Sequence, residues 1–317
     1  MFPTGHATIA ITLTALLKPG DHVLITDAVY EPVRRFCKDH LQRMGVDYEF
    51  YPPDGTGLEQ RMRRSTRLIY AECPGSLTYD MMDLPAVAAL AKKHDCLLAV
   101  DSTWGSGVLY HPLDLGADIS ILAATKYLGG HSDVMLGAVV CNNTAWPAIQ
   151  SAGIGFGQTV GADDAWLVLR GIRSLHARMA MHQNGVEAVI PWVQSRPEVA
   201  RVISPALPEH PGHLLWKRDR KGTNGLLSVE FDETFSPDSV ESMMNALELF
   251  GIGASWGGFE SLILPVNLKD ARALTTYPYK GSVVRLHIGL EDPADLIADL
   301  EHAFRYLQAG RHVSVSY

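Results

Sequence analysis

The chain is poor in cysteine, with four in 317 residues, at Cys37, Cys73, Cys96 and Cys141. No two form a CxxC pair, which excludes a zinc ribbon and a thioredoxin-like redox site. A chain of this length can bury a large core without disulfides, so a reduced, cytoplasmic setting is expected. No apolar stretch reaches the ~20 residues that a bilayer-spanning helix needs. Positive charge is also short: 27 Lys and Arg stand against 35 Asp and Glu, a net charge of −8. A surface of that sign argues against nucleic acid as a partner and leaves a small molecule as the expected one. Neither GxxxxGK[ST] nor HExxH occurs, and Gly153, Gly155 and Gly157 do not complete GxGxxG. Thirteen histidines fall at no metal-ligand spacing, so no metal site is expected. Gly105-Ser106-Gly107 lacks the GxSxG of a nucleophile elbow and reads as a loop after a strand.

What is present is the pattern of a folded α/β chain. Short apolar runs closed by an acid recur at 22–27, 67–72 and 96–101, and two more apolar runs lie at 119–123 and 136–141. Continuous apolar runs, rather than strict alternation, suit strands covered on both faces. Between them Asp83 can cap a helix with Pro85 in its first turn. From Ala162 to Met181 the pattern turns helical, and beyond it strand candidates thin out to 200–204, 226–231, 261–264 and 283–288, among helices at 238–249 and 292–307. The expected architecture is α/β, with a large, mostly parallel-sheet domain over residues 1–170 and a smaller C-terminal α+β domain over 171–317. Met1 and Phe2 lead straight into PTGHATIAITLTALL, a turn and then a helix, without the order of a signal peptide. A domain rarely opens inside such an element, and coding sequence upstream of Met1 is expected.

In open α/β sheets, ligands bind beyond the carboxyl ends of the strands. Asp101 ends one apolar run and Lys126 follows another, 25 residues later. An amine and an acid emerging at one sheet edge suit a pyridoxal phosphate site, the lysine forming a Schiff base and the acid holding the pyridinium nitrogen protonated. Simple solvation of strand ends gives the same spacing. Thr4-Gly5-His6 opens a helix whose free N–H groups could grip a phosphate, or forms only a capped turn. Tyr30 follows a strand end and could stack on a flat ring. Arg285 stands inside the run VVRLHI, where burial calls for a partner: a substrate carboxylate, or an internal acid such as Glu260.

These segments resemble the pyridoxal-phosphate-dependent enzymes of Cys/Met metabolism and, within them, the bacterial cystathionine β-lyases. The likeness runs almost end to end, through FPTGHAT, TDAVYEP, AECPGSLTYD, AVDSTWGSGVLYHPLDLGADIS, AATKYLGGHSDVMLGAVV, RGIRSL, VARVISPALPEHPGH, GLLSVEF, SWGGFESLILP and VRLHIGLEDPADLIADL. It implies fold type I of the pyridoxal-phosphate-dependent transferases, pyridoxal 5′-phosphate as cofactor, and α,β-elimination of L-cystathionine to homocysteine, pyruvate and ammonia in methionine biosynthesis. Residue by residue, it implies that Lys126 carries the cofactor and moves the α-proton, that Asp101 meets the ring nitrogen and that Tyr30 stacks on the ring. Gly5, His6 and Thr125 would hold the phosphate, with Ser76 near the ring's 3′-oxygen. Arg285, assisted by Ser255, would take the substrate carboxylate, and Trp256 follows that serine as in β-lyases, where γ-acting relatives usually carry a smaller residue. A homotetramer built as a dimer of dimers is implied too, each site completed by a neighbour's N-terminal Tyr-x-Arg segment. The sequence starts beyond that segment, so weakened cofactor retention is expected. Two alternatives stand beside this reading: a sibling γ-synthase, γ-lyase or cysteine-S-conjugate lyase, and an inactive fragment that only folds.

Overall fold

Strand-forming runs at the sheet centre carry almost no polar side chains, and that composition decides where they go. Val23, Leu24 and Ile25, Leu68 and Ile69, and Leu98 to Val100 are all fully buried, so their strands must be covered on both faces. In the computed structural model, which describes residues 1–274 and 277–308, they form a six-stranded sheet. Residues 275–276 and 309–317 of the C-terminal span expected from the sequence lie outside the described residues.

The elements leading into this sheet are α1 (Gly5–Leu16), β1 (His22–Thr26), α2 (Glu31–Phe36), β2 (Asp47–Tyr51), β3 (Thr66–Glu72), α3 (Leu84–Lys93), β4 (Leu97–Asp101), β5 (Ile119–Ala123) and β6 (Gly137–Cys141). Strand order is β2-β1-β3-β4-β5-β6, parallel except for the β5–β6 pair. The chain moves outward from β1 to β2 and then returns to β3 on the other side of β1. Such a reversal opens a crevice at the carboxyl ends of the strands. Here those ends deliver Glu72 and Asp101 side by side, since the two are register partners, with Lys126 just after β5.

The second unit follows α4 (Trp146–Gly155) and α5 (Ala162–Gln194): β7 (Val199–Ile203), α6 (His213–Asp219), β8 (Leu226–Phe231), α7 (Pro237–Asn245), β9 (Gly251–Ile252), β10 (Leu262–Val266), α8 (Leu268–Ala271), β11 (Val283–His287) and α9 (Pro293–Phe304). Its sheet runs β7-β8-β11-β10-β9, and only β10 and β9 are parallel. The architecture is thus α/β with a mostly parallel sheet and a second, smaller sheet.

Helix α5 is longer than its sequence pattern predicts, continuing past Met181 through Asn184-Gly185 and Pro191 to 33 residues, roughly 50 Å. Packing overrides the breakers. A Cβ at position 185 would come within 2.8 Å of Ile288, so glycine permits the close approach of helix to sheet. Val168 of α5 packs with Val134 and Leu136, while Val186 and Val189 pack with Leu227 and Val229. One helix therefore belongs to both cores, and a cut at residue 170 falls inside it. β2, absent from the sequence reading, is an edge strand whose DYEFY alternation leaves it half exposed.

Candidate active site

Nine of the ten candidate residues line one cavity of about 360 Å³ at the carboxyl edge of the large sheet: Gly5, His6, Tyr30, Ser76, Asp101, Thr125, Lys126, Trp256 and Arg285. Ser255, the tenth, touches it through Lys126, whose Nζ donates to Ser255 Oγ at 2.7 Å. The large sheet supplies the floor and the second unit supplies the opposite wall.

The floor is held by backbone. Lys126 sits in the turn after β5, its N–H donating to the Ala123 carbonyl at 3.0 Å, and the Thr125 hydroxyl accepts from the Leu136 N–H at 3.0 Å. Burial is the main cause that brings the Lys126 amine down to about pKa 8; Arg285 adds to it and Asp101 opposes it. Asp101 accepts from the Thr103 N–H at 3.0 Å and makes no ion pair among the described residues. Burial raises its carboxyl, with Thr103 and Lys126 pulling the other way. Helix α1 begins beside it, capped by Thr4, whose hydroxyl accepts from Ala7 N–H at 2.9 Å. Residue 5 has to be glycine because a Cβ there would lie 2.7 Å from the Ala123 Cβ. Helix-start N–H groups without intrahelical partners are thereby brought to the cavity edge.

Tyr30 is 47 % exposed at the rim, and its N–H donates to Glu72 Oε2 at 2.7 Å. Glu72 was not singled out from the sequence as a site residue. The sequence marks it only as the acid closing an apolar run; the fold sets it in register with Asp101. Burial raises its carboxyl well above the usual range, and Asp101 raises it further. Ser76 donates its N–H to Ala28 O at 2.8 Å and lines the same side.

The opposite wall is an irregular segment between β9 and β10. It presses on the lysine turn: a Cβ on Gly257, which has φ +83°, would lie 2.9 Å from Tyr127 N. Trp256 sits with its ring centroid 5.1 Å from Lys126 Nζ. Arg285 of β11 sends Nη2 to the carbonyls of Ala254 and Ser255, both at 2.9 Å, while its Nε is buried without a partner. The internal pairing left open by the sequence is not made, since Glu260 accepts instead from Ser132 Oγ at 2.7 Å. A buried guanidinium with an unused donor beside a cavity has the chemistry to receive a carboxylate.

Comparison with known proteins agrees in family along almost the whole chain. The family model described as Cys/Met metabolism PLP-dependent enzyme matches residues 1–305. A cystathionine beta-lyase of Bordetella avium is 48 % identical over 305 residues, covering 95 % of this chain and 76 % of the relative. A cystathionine beta-lyase of Escherichia coli is 40 % identical over 310 residues, covering 96 % and 78 %. Among solved structures, a cystathionine gamma-lyase from Lactobacillus plantarum, complexed with L-serine, superimposes with a TM-score of 0.90 at 30 % identity, covering 98 % of this chain and 82 % of that one.

Proposed function

Because the chain belongs to the Cys/Met metabolism PLP-dependent enzymes, we propose that it is a carbon–sulfur lyase that cleaves L-cystathionine by α,β-elimination, releasing homocysteine, pyruvate and ammonia. The observation that carries this reading is the placement of the Lys126 amine in one cavity with a buried carboxylate, Asp101, that makes no ion pair among the described residues. A buried anion of that kind calls for a positive hydrogen-bond donor, which a protonated pyridine ring is. Lys126, Asp101, Tyr30, Ser76, Thr125 and the N–H groups at Gly5 and His6 would hold the cofactor. Pyridoxal phosphate, when bound, supplies the electron-withdrawing ring that acidifies the substrate's α-carbon.

The remaining work falls to the protein's own side chains. Burial, which brings the Lys126 amine down to about pKa 8, favours the neutral form that can take the α-proton. Ser255 Oγ, 2.7 Å from that amine, fixes its direction. Arg285 would bind the α-carboxylate and, with Trp256, orient the Cα–H bond towards Lys126. The Cα–H and Cβ–S bonds break and a Cα=Cβ bond forms. Sulfur leaves with the bonding pair and takes the proton that Lys126 returns, and hydrolysis of the three-carbon remainder yields pyruvate and ammonia. Incubating the protein with L-cystathionine and analysing the keto acid tests this: pyruvate is expected, and 2-oxobutyrate would place the chain with the γ-acting relatives.

A homotetramer with a cytoplasmic location completes the proposal. Helix α4, its C-cap Phe156 and helix α5 leave Ile154, Phe156, Trp166 and Leu169 exposed, and Met135, 61 % exposed, lines the cavity. So much exposed apolar surface is unusual for a monomer, and a second copy is the occupant that would also close the cavity rim. Sedimentation velocity tests it, a monomer at micromolar concentration being the contrary result. Among the described residues no helix is long and apolar enough to cross a membrane, and all four cysteines are free thiols.

A further inference from the structure

The wall segment 253–260 brings Ser255 and Trp256 to Lys126. Backbone bonds tie its ends, Gly253 N–H to the Ile263 carbonyl at 3.1 Å and Leu290 N–H to the Phe259 carbonyl at 2.8 Å, and between them two side chains of β11 hold it. Arg285 and His287 are two residues apart on one strand and so share a face. Arg285 takes the start of the segment through the Ala254 and Ser255 carbonyls. His287 takes its end: Nε2 lies 3.0 Å from the Gly257 N–H, and Nδ1 lies 3.0 Å from the Glu260 carbonyl.

These two partners dictate the protonation of the ring. A backbone N–H can only donate and a carbonyl can only accept, so Nε2 must be bare and Nδ1 must carry the hydrogen. An imidazolium would turn an N–H against the Gly257 N–H. The surroundings hold the ring neutral: it is fully buried, and His182 of α5, Arg285 on its own strand and Lys126 beyond β5 all oppose a positive charge, while the Glu260 carbonyl favours one. His182 lies 5.2 Å away and is itself neutral, its Nδ1 facing the Ile288 carbonyl at 2.8 Å and its pKa brought down to about 4 by burial. The Tyr127 ring, whose hydroxyl accepts from Gly225 N–H, packs 5.8 Å from His287 and 5.5 Å from Trp256.

We infer that His287 is a positioning residue: its neutral imidazole latches Gly257 and Glu260 to β11 and thereby keeps Ser255 and Trp256 seated on Lys126. The latch rests on the proposed function only in taking Lys126 as the reactive amine.

The test compares His287→Gln, whose Oε1 reaches as far as Nε2 and can accept from Gly257, with His287→Asn, which keeps a donor towards Glu260 but is too short for Gly257. His287→Leu removes both bonds. Two readouts are taken on each folded variant: kcat and KM of the cofactor-loaded enzyme with L-cystathionine, and the pH midpoint of Lys126 acylation in cofactor-free protein, read from the Lys126 peptide by mass spectrometry. With the latch, Asn and Leu lower kcat by ~10–100-fold with little change in KM. They also move the acylation midpoint up by about one pH unit as Lys126 gains solvent. Gln restores kcat to within about threefold of wild type. Asn and Gln losing activity equally, or an unmoved midpoint in Asn and Leu, overturns the proposal. If Leu does not fold, the Gln–Asn pair decides alone. If wild-type protein shows no lyase activity, the proposed function fails, and the acylation midpoints still decide the latch.

Discussion

The two walls of the cavity are built on different principles. On the large-sheet side, Glu72, Asp101 and Lys126 are placed by strand register and by the turn after β5, so backbone hydrogen bonds fix where each side chain emerges. On the other side, Ser255 and Trp256 lie on a segment paired by backbone only at its ends and held between them by the side chains of Arg285 and His287. A register-held wall tolerates loss of any one side chain in its geometry and suffers only in chemistry. A side-chain-held wall loses geometry first. Substitutions in the two walls therefore differ in kind as well as in size.

The largest effect belongs to the register-held wall. Lys126→Ala removes the proposed base and attachment point, and pyruvate formation is expected to fall ~10³-fold or more with the melting temperature nearly unchanged. Asp101→Ala comes next: loss of a buried charged partner weakens cofactor binding by about 100-fold in a fluorescence titration. Across the cavity, Arg285→Leu should raise KM for L-cystathionine by ~100-fold and, because the same guanidinium holds the Ala254 and Ser255 carbonyls, lower kcat as well. A pure KM effect would show that the segment does not depend on Arg285 and would erase the contrast. Ser255→Ala is expected to cost roughly tenfold in kcat, by freeing the Lys126 amine from its acceptor. The smallest effect expected is that of Glu72→Gln, within about threefold, since the amide oxygen still accepts from Tyr30 N–H.

The same division explains how much was legible in the sequence. Apolar runs ending in Glu72, Asp101 and the Lys126 turn announce a sheet edge, because strand burial writes itself as a continuous pattern. Spacing alone still left Lys126 and Asp101 open to a reading as solvated strand ends, and the likeness to a known family supplied their roles. Register, which makes Glu72 the neighbour of Asp101, is a pairing between distant segments and leaves no local signal. The partner of Arg285 was equally hidden: Glu260 was a reasonable acid by composition, and only the fold reveals that Ser132 occupies it. His287 was one of thirteen histidines; its place in the run VVRLHI signals burial, as for Arg285, but not the two backbone groups it meets. The full length of α5 was concealed by Gly185, which reads as a breaker and acts as a contact with Ile288.

The central claim, that this chain works through a cofactor held on one particular lysine, is tested most directly by trapping. Purified protein is incubated with pyridoxal phosphate, treated with borohydride, digested, and the modified peptide is identified by mass spectrometry. The account predicts modification at Lys126, abolished in Lys126→Ala. Stable modification at another lysine, with Lys126 untouched, would contradict it.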